Sequence, residues 1–208
     1  MNKLKLVIPI LLFFAFNNLS CSVYQTMVNI SRLKFKLGVV NNFTLNGVNL
    51  SNKKSINDLS IPEALKLTSA FAKGSMPATF TLNVNALNPN DGTGGYPKTN
   101  ATIVAFPWRL MINNKETVTG DIGSPFSVPG TGEAAVIPIQ ITIDLYKFFK
   151  DNTYQDLIAL AMKLSGSGSS TGGSPSDLAL YVKPTVSSPL GNITYPQEIK
   201  VINYEYTK

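Results

Sequence analysis

From Arg32 to Leu37 basic and apolar residues alternate without a break, the two-residue period of a strand that buries one face. Phe43, Leu45, Val48 and Leu50 continue the alternation around Asn46-Gly47, which predicts a second strand with a kink or turn at that pair. Thr79–Leu87 is the cleanest strand of the chain. Phe80, Leu82, Val84 and Ala86 share one face, and Asn88-Pro89-Asn90 ends it, because proline removes a donor and asparagine tolerates turn geometry. Thr102–Ile112, closed by an Asn113-Asn114 turn, then Val136–Ile143, Leu178–Lys183 and Ile199–Tyr206 complete the strand inventory.

Two or three short segments follow a helical period instead. Ser60 is placed to cap a helix with Pro62 and Glu63 in its first turn and Gly74 beyond its end, and Leu65, Leu67 and Phe71 are assigned to its apolar stripe. Asp144 starts helical structure through Leu145, Phe148 and Phe149. Tyr154–Leu164 places Leu157, Ile158, Ala161 and Leu164 at spacings of three and four. Ser165–Pro175 is a low-complexity loop inside the domain, since strand signals resume at Leu178. Several short strands at regular spacing predict a mainly β chain, an antiparallel β-sandwich whose helical insertions cover an open end or edge.

The first twenty residues follow another logic. Lys3 and Lys5 precede an apolar run, Leu6–Phe16, too short for the roughly 20 residues a membrane-spanning helix needs. Asn17 and Asn18 end it, and Leu19-Ser20-Cys21 follows. A basic start, a short apolar core and a single thiol behind a small residue match a bacterial lipoprotein signal, with Leu19 one place later than the usual pattern. The expected division is a signal peptide over 1–20, a lipidated tether over 21–30 and one domain over 31–208. Cys21 is the expected lipidation site. Two or more acyl chains on it would give stable anchoring without a spanning helix. The expected location is the bacterial cell envelope, with a palmitate-bearing anchor in the outer membrane and the domain facing the periplasm.

Composition narrows the chemistry. The chain has 208 residues and no histidine, so Ser-His-Asp, Cys-His and histidine-based zinc sites cannot form within it. Its one cysteine excludes an internal disulfide. The net charge of +6 is carried by scattered lysines, with Arg32 and Arg109 the only arginines, so no basic cluster for nucleic acid is present. Ser51-Asn52-Lys53-Lys54 and Ser31–Lys34 fit a Ser-x-x-Lys spacing without the partner motifs of such enzymes. The loop acids Asp91, Asp121 and Glu133 are the candidates for a carboxylate pair. The glycine-rich stretches match neither an EF-hand nor a phosphate loop. No catalytic residue, cofactor or metal ligand is expected. Trp108 is weighed as core packing against an exposed ligand contact, and Pro107 beside it favours an edge or bulge.

The order Ala86-Leu87-Asn88-Pro89-Asn90, then Trp108-Arg109-Leu110-Met111-Ile112, Gly120, Val128-Pro129-Gly130 and Ile137-Pro138-Ile139-Gln140-Ile141 resembles the type-2 late-embryogenesis-abundant family, the LEA14-like or water-stress and hypersensitive-response domain. The resemblance covers roughly residues 31–203. It implies an immunoglobulin-like or fibronectin-like sandwich, an association with desiccation and stress response, and no catalytic residues. The helical stretch at Ile61–Ala72 and the Ser/Gly loop exceed what the short plant domains carry. The expected function is therefore a lipid-anchored, non-enzymatic envelope protein, structural or stress-protective through an envelope protein partner. The alternative is a ligand-binding lipoprotein with a pocket between the sheet and the helices at Ile61–Ala72 and Tyr154–Leu164, its small molecule unidentified.

Overall fold

The computed structural model describes residues 27–166, 178–203 and 205–207. The expected signal peptide, Cys21 and most of the expected tether lie outside these residues, as does most of the Ser/Gly loop. Among the described residues the protein is an antiparallel β-sandwich, mainly β as the alternation predicts. One layer is the sheet β2 (Val48–Asn49), β1 (Lys34–Leu45), β3 (Pro77–Leu87) and β8 (Ala134–Asp144), in that spatial order. The register of β3 and β8 runs unbroken from Pro77↔Asp144 to Leu87↔Ala134. Phe80, Leu82, Val84 and Ala86 on one strand and Ile137, Ile139, Ile141 and Ile143 on the other all point into the core.

β1 reaches the same core with two bulges. Ten steps along it, Phe35 to Leu45, oppose eight along β3, Ala86 to Ala78. One bulge alone would reverse the faces of everything after it, because side chains alternate with a period of two. The second bulge restores parity, so Phe35 and Leu37 before the bulges and Phe43 and Leu45 after them are all buried. Asn42, in the second bulge, takes a φ of 55°, a left-handed conformation that asparagine tolerates better than most residues.

The other layer consists of four columns, each a pair of strands in sequence. They are β4 (Ala101–Ala105) with β5 (Trp108–Ile112), β6 (Lys115–Gly120) with β7 (Phe126–Val128), β9 (Leu178–Val182) with β10 (Thr185–Ser188), and β11 (Gly191–Thr194) with β12 (Ile199–Val201). Hydrogen bonding divides them into sheets β11-β10-β4-β7 and β12-β9-β5-β6, which match column for column. Between the halves each column carries a proline: Pro107, Pro125, Pro184 and Pro196. A proline has no N–H for the ladder and is tolerated where pairing breaks. The layer is thus one sheet folded along a crease, bridged by Lys183 N donating to the Pro107 carbonyl at 2.9 Å. This corrects the single strand expected over Thr102–Ile112. The strand expected over Ile199–Tyr206 is also divided: Ile199–Val201 pairs with β9, then the chain crosses to the first layer. There Leu37 N donates to the Ile202 carbonyl at 2.9 Å, and Phe35 and Thr207 exchange two bonds of 2.8 Å.

The helices close one end of the sandwich. In α1 (Ile61–Ala72) the Glu63 carboxylate reaches back to accept from Ser60 N at 2.8 Å, the expected cap. Its inward face carries Leu67 and Ala70, with Phe71 half-buried, whereas Leu65 points outward and is 65% exposed. The stripe expected from Leu65, Leu67 and Phe71 is corrected accordingly, since residues two apart on a helix lie about 200° around it. Asp144 caps the short α2 (Leu145–Phe148) through Tyr146 N at 3.1 Å and also accepts from Met76 N at 2.8 Å and Ser75 Oγ at 2.9 Å. In α3 (Tyr154–Leu164), Leu157, Ile158, Leu160, Ala161, Met162 and Leu164 are all buried.

Candidate functional site

The end of the sandwich opposite the helices is where the chain enters the fold. β3 runs its full length between the two ends, from Pro77 beside α2 to Leu87. Beyond it Asn88 is fully buried and Asn90 nearly so, a placement that costs free energy unless the amides are paired. They are paired. Asn88 Nδ2 donates to the carbonyls of Thr99 at 2.8 Å and Val128 at 3.1 Å. Asn88 Oδ1 accepts from Asn90 N at 3.2 Å and Asn90 Nδ2 at 2.9 Å. Asn90 Nδ2 also reaches the Asn29 carbonyl at 2.8 Å, while its Oδ1 accepts from Arg32 Nη1 at 2.8 Å.

The partners lie on three other segments, so two side chains bind the end of β3, the 91–99 loop, the end of β7 and the entering chain into one knot. Gly130 sits against it so closely that a Cβ would come within 2.4 Å of the Asn90 carbonyl oxygen. Arg32 completes the knot by lying over the Tyr96 ring at 3.6 Å. The Asn-Pro-Asn motif is therefore a strand-ending turn with a structural job, the role its residue types predict.

The entering chain is a helical turn at 27–31. Asn29 and Ile30 are buried, so the expected tether already joins the domain at 27. Besides Asn90, the Tyr195 hydroxyl fastens the turn by donating to the Ile30 carbonyl. Burial pushes the Tyr195 phenol well above its usual range, so it stays a donor at any physiological pH. Over this turn lies a groove of about 490 Å³, walled by Met27, Val28, Ile30, Ile193, Tyr195 and Pro196. Met27 at its lip is 55% exposed.

Trp108 is 7% exposed, and a Cβ on Gly120 would lie only 2.4 Å from its Cζ2. The indole is thus clamped against the β6 edge, and its buried Nε1 has no hydrogen-bond partner among the described residues. That is core geometry and not an exposed stacking platform. Beside it Arg109 Nε and Nη2 grip Glu198, Nη1 donates to Glu116 at 3.1 Å, and the guanidinium lies 4.1 Å from the Tyr181 ring.

The carboxylates of Asp91 and Asp121 are engaged locally, while Glu133 is tied through its backbone. Asp91 accepts from Thr93 N and Oγ1, which holds its carboxyl below the ordinary range. Asp121 Oδ1 accepts from Phe106 N and Ile122 N and so ties the crease. Glu133 N donates to Thr131 Oγ1. Among the described residues no three acids stand together as metal ligands. Ser51 Oγ accepts from Phe43 N at 3.2 Å, and Lys54 N donates to Asp58 at 2.7 Å. The helices fill their space against the sheet with the buried side chains of α1 and α3 and with Phe71, whose ring meets Tyr146 and Tyr154 edge-on at 5.3 and 5.7 Å.

Sequence reasoning missed the apolar groove, because its walls meet from segments more than 160 residues apart. The nearest sequence signal is the run Met27, Val28 and Ile30 directly behind the polar stretch.

No family model and no curated protein matches the chain. Among solved structures it is similar to At2g46140.1, provisionally described as a late embryogenesis abundant protein. The identity is 15% and the TM-score 0.37, over 96% of this chain and 90% of that one. AT1g01470 from Arabidopsis thaliana is similar at 12% identity and a TM-score of 0.32, covering 84% of each chain. A protein from Archaeoglobus fulgidus is similar at 9% identity and a TM-score of 0.32, over 57% of this chain and 78% of that one.

Proposed function

We propose that the chain is a lipid-anchored envelope protein. Cys21 would carry the lipid, and the sandwich would be a non-enzymatic module acting in envelope integrity or stress tolerance through a protein partner. The observation that carries this reading is the order of the first 21 residues: two lysines, the apolar run Leu6–Phe16, and the chain's one thiol behind Ser20. Lipidation gives the apolar run a finite role, since a segment of that length does not span a bilayer. The anchored face would be periplasmic in an outer membrane.

One structural feature supports a holding role. The turn at 27–31 is fastened to the sandwich at two successive carbonyls, Asn29 and Ile30, so a pull on the tether is delivered to the knot and not to a loose terminus. The stress-protective element rests on the motif order from Ala86 to Ile141 that resembles late-embryogenesis-abundant domains, of which the buried Asn-Pro-Asn turn is the most specific part. Labelled palmitate supplied to the native host tests the anchor. Incorporation that disappears in Cys21→Ala supports it, and absence of label from the wild-type protein refutes it.

A further inference from the structure

We propose that the groove at the chain entry is the membrane-facing surface of the domain, with Met27 and Ile193 lowered into the boundary between headgroups and acyl chains of the bilayer that holds the anchor. The inference rests on the lipid at Cys21 and adds which side of the sandwich meets the lipid. Six steps separate Cys21 from Met27, and an extended chain covers at most ~3.6 Å per residue. The groove lip is therefore held within ~22 Å of the acylated residue, whatever path the tether takes.

The groove begins at the residue where the tether ends, since Met27 and Val28 are both wall and chain entry. Asn90 and Tyr195 fix that turn on the sandwich, so the tether limits how far this end of the domain can stand from the lipid. The walls are apolar, and the two hydroxyls that also line the groove are bonded within the fold, Ser31 Oγ donating to the Val28 carbonyl at 2.8 Å and Thr194 Oγ1 sharing a hydrogen bond with Thr185 Oγ1 at 2.9 Å. Tyr195 presents its ring to the groove region while its hydroxyl is already bonded to Ile30, so no phenol needs to be stripped of water on contact with lipid. Interfacial apolar faces sink ~5–10 Å into the headgroup and acyl boundary, a depth that a single side chain at the lip spans. A competing apolar strip, Ile61 and Leu65 on α1, is more exposed. It belongs to the helix that closes the far end of β3, however, and at ~3.3 Å per residue the two ends of that strand stand roughly 33 Å apart.

The test uses protein purified from its host envelope and reconstituted in phosphatidylcholine–phosphatidylglycerol vesicles doped with spin-labelled phosphatidylcholine. A thiol-reactive fluorophore is placed by Met27→Cys or Ile193→Cys, with Ile61→Cys and Leu65→Cys as controls on exposed apolar positions of α1. Severalfold stronger quenching at 27 and 193 than at 61 and 65 is expected. Equal quenching at all four, quenching strongest at 61, or none at 27 and 193 overturns the proposal. Intact mass reports the anchor separately: an unacylated Cys21 shows no lipid mass and takes up the fluorophore. In that case the anchor fails by itself, and the same four probes in a Cys21→Ser background decide whether the groove meets lipid without it.

Discussion

The two ends of β3 are closed by opposite means. At Pro77 the sandwich is plugged by hydrocarbon: six buried residues of α3, with Leu67 and Ala70 of α1 beside them. At Leu87 it is tied by amides, with Asn88 and Asn90 buried and each bonded to several segments. A hydrophobic plug is non-directional, so it accommodates small shifts of one helix over a sheet. A polar network in a low-dielectric site, here with the Asn88 and Asn90 amides bonded, is held to a narrow geometry and weakens if a member is missing. The fold places its directional closure where the chain enters and its adaptable closure far from it.

Removing one member from each end sharpens the contrast. Asn88→Ala removes the amide that pairs the carbonyls of Thr99 and Val128 and the acceptor of Asn90 N and of one Asn90 Nδ2 proton, and should cost about 4 kcal/mol, near the upper limit for a point substitution. Leu157→Ala, at a fully buried plug position, should cost about 3 kcal/mol. Urea denaturation gives both values. Hydrogen exchange separates them, because Asn88→Ala should also release the amides of 27–33 while Leu157→Ala should leave them protected. If both variants loosened the same amides, the two closures would be one cooperative unit.

Between the ends, the crease offers a weaker contact. Gly120→Ala drives a Cβ into the indole of Trp108 and should cost about 2 kcal/mol as overpacking. Trp108→Phe in the same chain should recover part of that loss, since it removes the ring atoms in the clash together with an unpartnered N–H. Additive effects in the double-mutant cycle would show that the clash is relieved elsewhere.

What the sequence made legible follows from how local each feature is. The alternation of Phe80, Leu82, Val84 and Ala86, the cap of Ser60 on Glu63 and the paired asparagines at 113 and 114, both at positive φ, depend on neighbours within a few residues. The sandwich class could be read from them. The paired bulges of β1 could not, because a strand with two extra residues still shows the same parity at its two ends. β6, β7, β10 and β11 also escaped notice, being short and poorly alternating, so that pairing partners decide them more than propensity does. The crease prolines stand up to 89 residues apart in sequence and line up only once the columns are known. At the candidate site, Asn88-Pro89-Asn90 announced itself, whereas Asn29, Arg32 and Tyr195 gave no sign that they converge on one turn.

Tyr195→Phe tests the weaker of the two fastenings on that turn. It removes one donor to the Ile30 carbonyl and should cost about 1 kcal/mol. Because Asn90 still holds the Asn29 carbonyl, faster exchange should be confined to residues near 30 and should not spread through the knot. Exchange spreading to Asn90 and Thr99 would mean that the phenol supports the whole network.

The smallest effect is a dependence on pH that should distinguish the two ends. Glu63 is held down to about 2 by the Lys53 ammonium at 2.8 Å and by donation from Ser60. Asp156, which caps α3 against Thr153, and Asp58, which accepts from Lys54 N and Ser55 N, are lowered as well. All three belong to the helical end. A carboxyl with a folded value below its unfolded one adds stability above the unfolded value, and that stability is lost as pH falls through the folded value. For Glu63 the window runs from its ordinary 4.5 down to about 2. The asparagine knot has no carboxyl among the side chains that form it. Asp91 next to it serves its own turn with Thr93. Acid should therefore quicken exchange in α1 and α3 while the amides of Asn90 and Thr99 keep their protection. Glu63→Gln should lower the thermal midpoint slightly at neutral pH and lose that difference near pH 2, because these exposed carboxyls are screened by solvent. If the variant differed from wild type by the same amount at both pH values, the Glu63 charge would contribute nothing to the cap, and only its hydrogen-bond geometry would hold α1 in place.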